Sequence, residues 1–166
     1  DETREAAIKM AEAAKKAGVP VAFTLSDAFV VNTFRGLLED FIRWHVDILF
    51  CNEVDAKAMA ETDNTQTAFD KSSGMVDTLF LTRSKEGSWA TDNTGEKVTV
   101  GSFPVKAVDA TGAGDLFAAG FLSGHVKGES LKDCLTRGAV CAAEIISHYG
   151  ARPEADIKAL VAEKLG

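Results

Sequence analysis

An α/β fold, a parallel sheet covered on both faces by helices, is expected from three observations. Short apolar runs at residues 19–25, 46–51 and 76–82 read as buried strands. Stretches of helical period alternate with them. A glycine-rich turn at 109–115 then opens a further helix. The 166 residues are room for one ordinary domain, and a 46% hydrophobic, 26% charged composition supports a packed core.

Taken in order, residues 2–17 are rich in Ala, Lys and Glu with apolar positions three to four apart. Gly18 ends that helix and Pro20 prevents its return. Residues 19–25 form the first strand, 33–44 a helix, and 46–51 the second strand. Two short helices follow at 54–62 and 65–73, then the third strand at 76–82. Residues 88–91 and 97–100 are the arms of a hairpin across the turn-rich 92–95 (DNTG). The glycine-rich turn opens a helix over 112–125. Ser130 with Asp133 resembles a capping box and starts a helix over 131–148, closed by Gly150. Pro153 stands near the first turn of a last helix.

Composition excludes some functions. The formal net charge is −7, from 18 basic and 25 acidic residues, which argues against binding nucleic acid through a broad basic surface. No apolar run approaches the roughly 20 residues that span a bilayer. From Asp1 onward there is no basic-then-apolar leader. Cys51, Cys134 and Cys141 lack paired spacing and read as small buried hydrophobes in a reducing compartment, so a cytoplasmic location is expected. His45, His125 and His148 show no ligand spacing; the last two fall at expected helix C-termini, where a cation is favourable.

Ligands of such sheets lie beyond the carboxyl ends of the strands. The informative residues therefore follow each strand, and the densest signal is residues 108–120, VDATGAGDLFAAG. Small residues allow a tight turn and present successive N–H groups at a helix start, where an anion is favoured. A carboxylate at Asp115, in the first turn, suits transfer of a phosphoryl group to a hydroxyl. The amides of the turn would stabilise the phosphoryl charge, and the Asp115 carboxylate would take the hydroxyl proton. The same pattern also reads as a glycine-rich cap with an acid complementing the helix dipole. Walker A requires a Lys-Ser/Thr pair that does not occur here, and the dinucleotide fingerprint requires Gly where Phe117 stands. Asn52 with Asp55 reads equally as a helix N-cap with a first-turn acid, and 82–87 as an ordinary strand exit.

The string DATGAGDLFAAGFLSG resembles the second signature of the ribokinase family, the PfkB carbohydrate kinases, written around D-T-x-G-A-G-D. Residues 52–55 (NEVD) stand where the family has N-x-x-E, and residues 82–87 (TRSKEG) where it has a T-x-G-x-x-G nucleotide loop. Gly150-Ala151 matches its C-terminal Gly-Ala segment, and the T-R-S wording is similar to a bacterial adenosine and sugar kinase branch. The resemblance implies a ribokinase-like three-layer αβα sandwich, a Rossmann-like doubly wound sheet, using ATP and Mg²⁺ on a sugar or nucleoside. It implies Asp115 as catalytic base and Gly112, Ala113 and Gly114 as anion hole. Thr82, Ser84, Gly87 and Asn52 would meet the nucleotide and its phosphates, with Ala139 near the adenine. Asp55 would help organise Mg²⁺ through water, and Asp109 with Thr111 falls where many members bind a monovalent cation such as K⁺. Three departures stand out: Ala110 for Thr, Asp55 for a Glu one methylene longer, and Ser84 for a Gly.

The motifs match only the family's second half. The N-terminal strands, the β lid and the first signature, which hold the acceptor, have no counterpart here. Residues 1–166 are therefore expected to be a single partial domain, the C-terminal nucleotide-binding and catalytic part of a kinase. Such a sheet would expose an edge and self-associate. The alternative is a nucleotide-binding module without catalysis.

Overall fold

The computed structural model describes residues 2–165. The chain divides into two compact units, residues 2–82 with 91–96 and residues 83–90 with 97–165.

In the first unit, α1 (Glu2–Lys16) leads to β1 (Ala22–Thr24), α2 (Ala28–His45), β2 (Ile48–Asn52), α3 (Glu53–Ala60), α4 (Thr65–Ser73) and β3 (Thr78–Thr82). The three strands are parallel in the order β1-β2-β3, with Phe23 beside Leu49 and Phe50 beside Phe80. The four leading residues of β2 and of β3 are buried, as expected of strands covered on both faces. Leu49, Leu79, Leu81 and Ile42 are fully buried. β1 is an edge strand, exposed at Ala22 and Thr24.

β2 and β3 each begin two residues later than expected and α3 ends two residues earlier, but β1 and α2 depart furthest from the expectation. β1 is shorter because Pro20 has no N–H and the N–H of Val21 donates to the Asp47 side chain (2.6 Å). α2 begins five residues early because Asp27 caps it, accepting the N–H of Phe29 (2.6 Å). A kink at Phe34 (φ −123°, ψ 21°) interrupts the helix, and the helical period of the sequence is legible only beyond it.

The second unit holds the β4 (Ser88–Thr91) residues up to Ala90, then β5 (Lys97–Val100), α5 (Ala113–His125), α6 (Leu131–Ile145) and α7 (Ile157–Leu165). α5 and α6 pack directly, with Phe121, Leu135 and Ile145 fully buried. Val140 and Cys141 of α6 meet Val161 of α7 under Leu116, Phe103, Ile157 and Leu160. The backbones approach closely because Gly138 faces Phe117: a Cβ there would lie 2.0 Å from the ring.

α6 ends at Ile145, three residues before the expected end, and Gly150 lies beyond its cap at Ile146. The Ile146 carbonyl turns away to accept the N–H of Val108 (2.7 Å). His148 is therefore not at the helix end, and its environment is a pair of acceptors described below. α7 begins at Ile157 and not at Pro153. Asp156 supplies the cap, its Oδ1 accepting the N–H groups of Lys158 (2.9 Å) and Ala159 (3.2 Å). All three cysteines are buried and free, and burial pushes the Cys134 thiol up to about 11, which keeps it unreactive.

Candidate active site

In the first unit the strands deliver polar residues to their carboxyl ends. Asn52 closes β2 in register with Thr82, which closes β3. Asn52 then caps α3, its Oδ1 accepting the Asp55 N–H (2.9 Å), while Asp55 accepts the Asn52 N–H in return (3.5 Å). That reciprocal box is the N-terminus reading of these residues. Asp55 is only 3% exposed. Burial pushes its carboxyl above the usual range, the Asn52 hydrogen bonds oppose this, and the nearby Asp27 charge adds to it. A carboxylate so buried and so engaged does not fit a direct Mg²⁺ ligand. No group of three or more His, Cys, Asp or Glu among the described residues is arranged to hold a metal ion.

The second unit carries the 83–87 loop. It is a single 3-10 turn, closed by the Gly87 N–H on the Ser84 carbonyl (3.1 Å) and the Arg83 N–H on the Gly87 carbonyl (2.8 Å). Ser84 has φ 51°, so the position is left-handed and the serine is accommodated at a conformational cost that glycine would not carry. Gly87 is required: φ is 85°, and a Cβ would lie 2.1 Å from the Val100 carbonyl. The loop also holds a feature that periodicity does not reveal. The Arg83 guanidinium lies 4.1 Å from the Trp89 ring centroid, the Lys97 ammonium lies 3.9 Å from it, and Arg83 is ion-paired to Glu86.

The glycine-rich turn is in the same unit. Gly112 is the N-cap of α5 in the left-handed conformation (φ 79°, ψ 0°). A Cβ on it would meet the Ala151 Cβ at 2.9 Å, so shape and φ both demand glycine. The Ala113 N–H already donates to the Ala110 carbonyl (3.1 Å), so the turn itself uses one of the three expected anion-binding amides. Asp115 is exposed in the first turn of α5. Asp109 braces the turn: Oδ1 accepts the Thr111 N–H (3.0 Å) and hydroxyl (2.7 Å), and Oδ2 accepts the Gly150 N–H (3.1 Å). Those bonds, from Thr111 first and then Gly150, hold its carboxyl below the usual range. Asp109 and Thr111 thus bind each other, and the pair needs no cation to be satisfied.

The family model described as "pfkB family carbohydrate kinase" matches residues 1–158. The chain belongs to the PfkB family. A probable sugar kinase from Rhizobium etli superposes with a TM-score of 0.94 at 33% identity, covering 98% of this PfkB chain and 49% of that protein. An adenosine kinase from Sinorhizobium meliloti gives 0.90 at 36%, covering 97% and 49%. An uncharacterized sugar kinase of Archaeoglobus fulgidus is 38% identical over 95 residues, 57% of this chain and 38% of that protein. The PfkB chain therefore spans half or less of the length of these relatives, and its fold is the ribokinase-like α/β fold.

Ala139, assigned near the adenine, is 7% exposed on α6 of this PfkB chain. No spacing signal pointed to Glu144 and His148. His148 Nε2 faces Glu144 Oε1 (3.2 Å) and its Nδ1 faces the Tyr149 carbonyl (3.2 Å). The carbonyl contact, aided by Glu144 and Glu154, raises the histidine pKa above its ordinary value. The stabilisation is full below the ordinary histidine value near 6.5 and is lost as pH rises through the raised folded value. Replacing His148 with Gln is expected to lower the melting temperature at about pH 6 and to leave it unchanged at about pH 9. A deficit of equal size at both would show that the ring acts by shape and not by charge.

Proposed function

We propose that this PfkB chain carries the phosphoryl-donor side and the catalytic base of an ATP-dependent transfer to an alcohol group of a sugar or nucleoside. The carrying observation is the left-handed Gly112 turn with an exposed Asp115 three residues beyond it. At Gly114 nothing stands within 4 Å of where a side chain would begin, which leaves open space for a phosphate beside the opening amides of α5. Family membership and the likeness to a sugar kinase and an adenosine kinase support the reading.

In this mechanism Asp115 accepts the proton of the acceptor hydroxyl as the hydroxyl oxygen bonds to the γ-phosphorus of ATP and the bond from that phosphorus to the departing ADP breaks. The N–H groups of Gly112 and Gly114 stabilise charge on the phosphoryl oxygens, aided by the positive end of α5. ATP, when bound, would supply the phosphoryl group, and Thr82, Ser84 and Gly87 would contact the nucleotide. Asn52 supports the phosphates through the α3 cap. Ala139, small and buried, lines the adenine side. Asp55 acts by fixing Asn52, since its own carboxylate is committed to the capping box.

Calorimetry with MgATP, followed by a coupled ADP-release assay over a panel of polyols and nucleosides, tests this. Saturable binding and turnover on one acceptor class are expected. Binding without turnover on any acceptor favours a nucleotide-binding module, and no binding refutes both.

A further inference from the structure

Residues 150–156 form neither helix nor strand, yet they lie against the anion-binding turn. At one end the Gly150 N–H is held by Asp109 (3.1 Å). At the other, the N–H groups of Glu154 (2.8 Å) and Ala155 (2.9 Å) both donate to Oε1 of Glu144. Between these tethers sits Ala151, packed so closely on Gly112 that a Cβ on Gly112 would lie 2.9 Å from its own Cβ.

Glu144 is unusually placed for a carboxylate. It lies in the last turn of α6 with its side chain 6% exposed. Burial alone would push its pKa up, but the Ala155, Glu154 and His148 hydrogen bonds outweigh that and hold it below the usual range. A buried anion is retained where its hydrogen bonds require it. Its bonds here run to a segment whose backbone has no ladder of its own to hold it.

We propose that Glu144 is a positioning residue for the anion-binding turn. By holding the Glu154 and Ala155 amides it keeps Ala151 seated on Gly112, and so keeps Gly112 in the left-handed conformation that opens α5. It touches no substrate and acts through the 150–155 strap. The consequence for phosphoryl transfer rests on the function proposed above; the strap itself does not.

Amide hydrogen exchange on the whole chain tests the strap without any assay of activity. Glu144→Ala and Glu144→Asp, which removes one methylene of reach, are expected to speed exchange about tenfold or more at residues 150–155 and also at 111–114. Glu144→Gln keeps an acceptor oxygen, and its exchange at both segments is expected to stay within about threefold of wild type. Val161→Ala, a core truncation in the same unit, should speed exchange broadly without favouring those segments. The proposal is overturned if 150–155 loosens while 111–114 exchanges as in wild type, or if Gln behaves like Ala. Should the Ala variant fail to fold, the Asp and Gln pair decides alone. MgATP calorimetry on the same proteins keeps the two readings apart. Coupled exchange in a chain that binds no nucleotide upholds the strap and refutes the phosphoryl-donor reading. Tight nucleotide binding with uncoupled exchange does the reverse.

Discussion

Replacing Asp115 with Asn is expected to lower kcat by about 10²–10⁴-fold, the usual contribution of a positioned base. Affinity for MgATP should stay within roughly threefold, because the variant keeps the shape of the side chain and the amides of the turn. The carboxylate lies exposed in the first turn of α5, with no hydrogen-bond or ion-pair partner among the described residues. Its removal costs little structure: the loss of an acid near a helix N-terminus is worth about 0.3–1 kcal/mol. A melting temperature near that of wild type with a collapsed kcat would thus identify chemistry and not folding. Near-normal turnover would sink the base assignment. A loss confined to KM would move Asp115 from the proton-transfer step to binding.

The second large effect is on stability. Gly138→Ala is expected to destabilise the protein by about 3 kcal/mol, at the upper end of the usual cost of overpacking a core. The added methyl would lie 2.0 Å from Phe117 Cε1 and 2.1 Å from Cδ1. Phe117 is only 6% exposed, so the ring has little room to withdraw. For a chain of this length the melting temperature should fall by roughly 6–12 °C. Shrinking the ring should relieve the clash, so Phe117→Leu with Gly138→Ala should melt above Gly138→Ala alone. A single variant that melts with wild type would show that α5 and α6 slide apart freely, contrary to the close packing seen.

The same residues show how much was legible beforehand. Phe117 served in the sequence as the residue that excludes a dinucleotide fingerprint; in the fold it is also the knob that Gly138 accommodates. Nothing in one sequence pairs positions 117 and 138, since neither periodicity nor spacing encodes which faces of two helices meet. α4 matched its expected limits, Thr65–Ser73, and both hairpin arms did so as well. β1, α2, α6 and α7 did not. In each of these a single side chain or carbonyl makes a bond that the residue pattern does not encode: Asp47 with Val21, Asp27 with Phe29, Ile146 with Val108, and Asp156 with Lys158 and Ala159. Such bonds shift the end of an element because they pair backbone groups that the end would otherwise leave without a partner.

Local chemistry wrote the rest directly into the chain. Two residue periods announced an α/β fold, and a run of small residues before Asp115 announced a helix opening suited to an anion, because both depend on neighbours in sequence. The packed fold decided which of those residues remain available. It buried Asp55 in a capping box, closed Asp109 onto Thr111 and Gly150, and left Asp115 exposed. It also brought Glu144, with no motif to mark it, under the strap that seats Ala151 on Gly112. Burial and long-range hydrogen bonds belong to the folded chain, and they separate a carboxylate that holds structure from one that is free to take a proton.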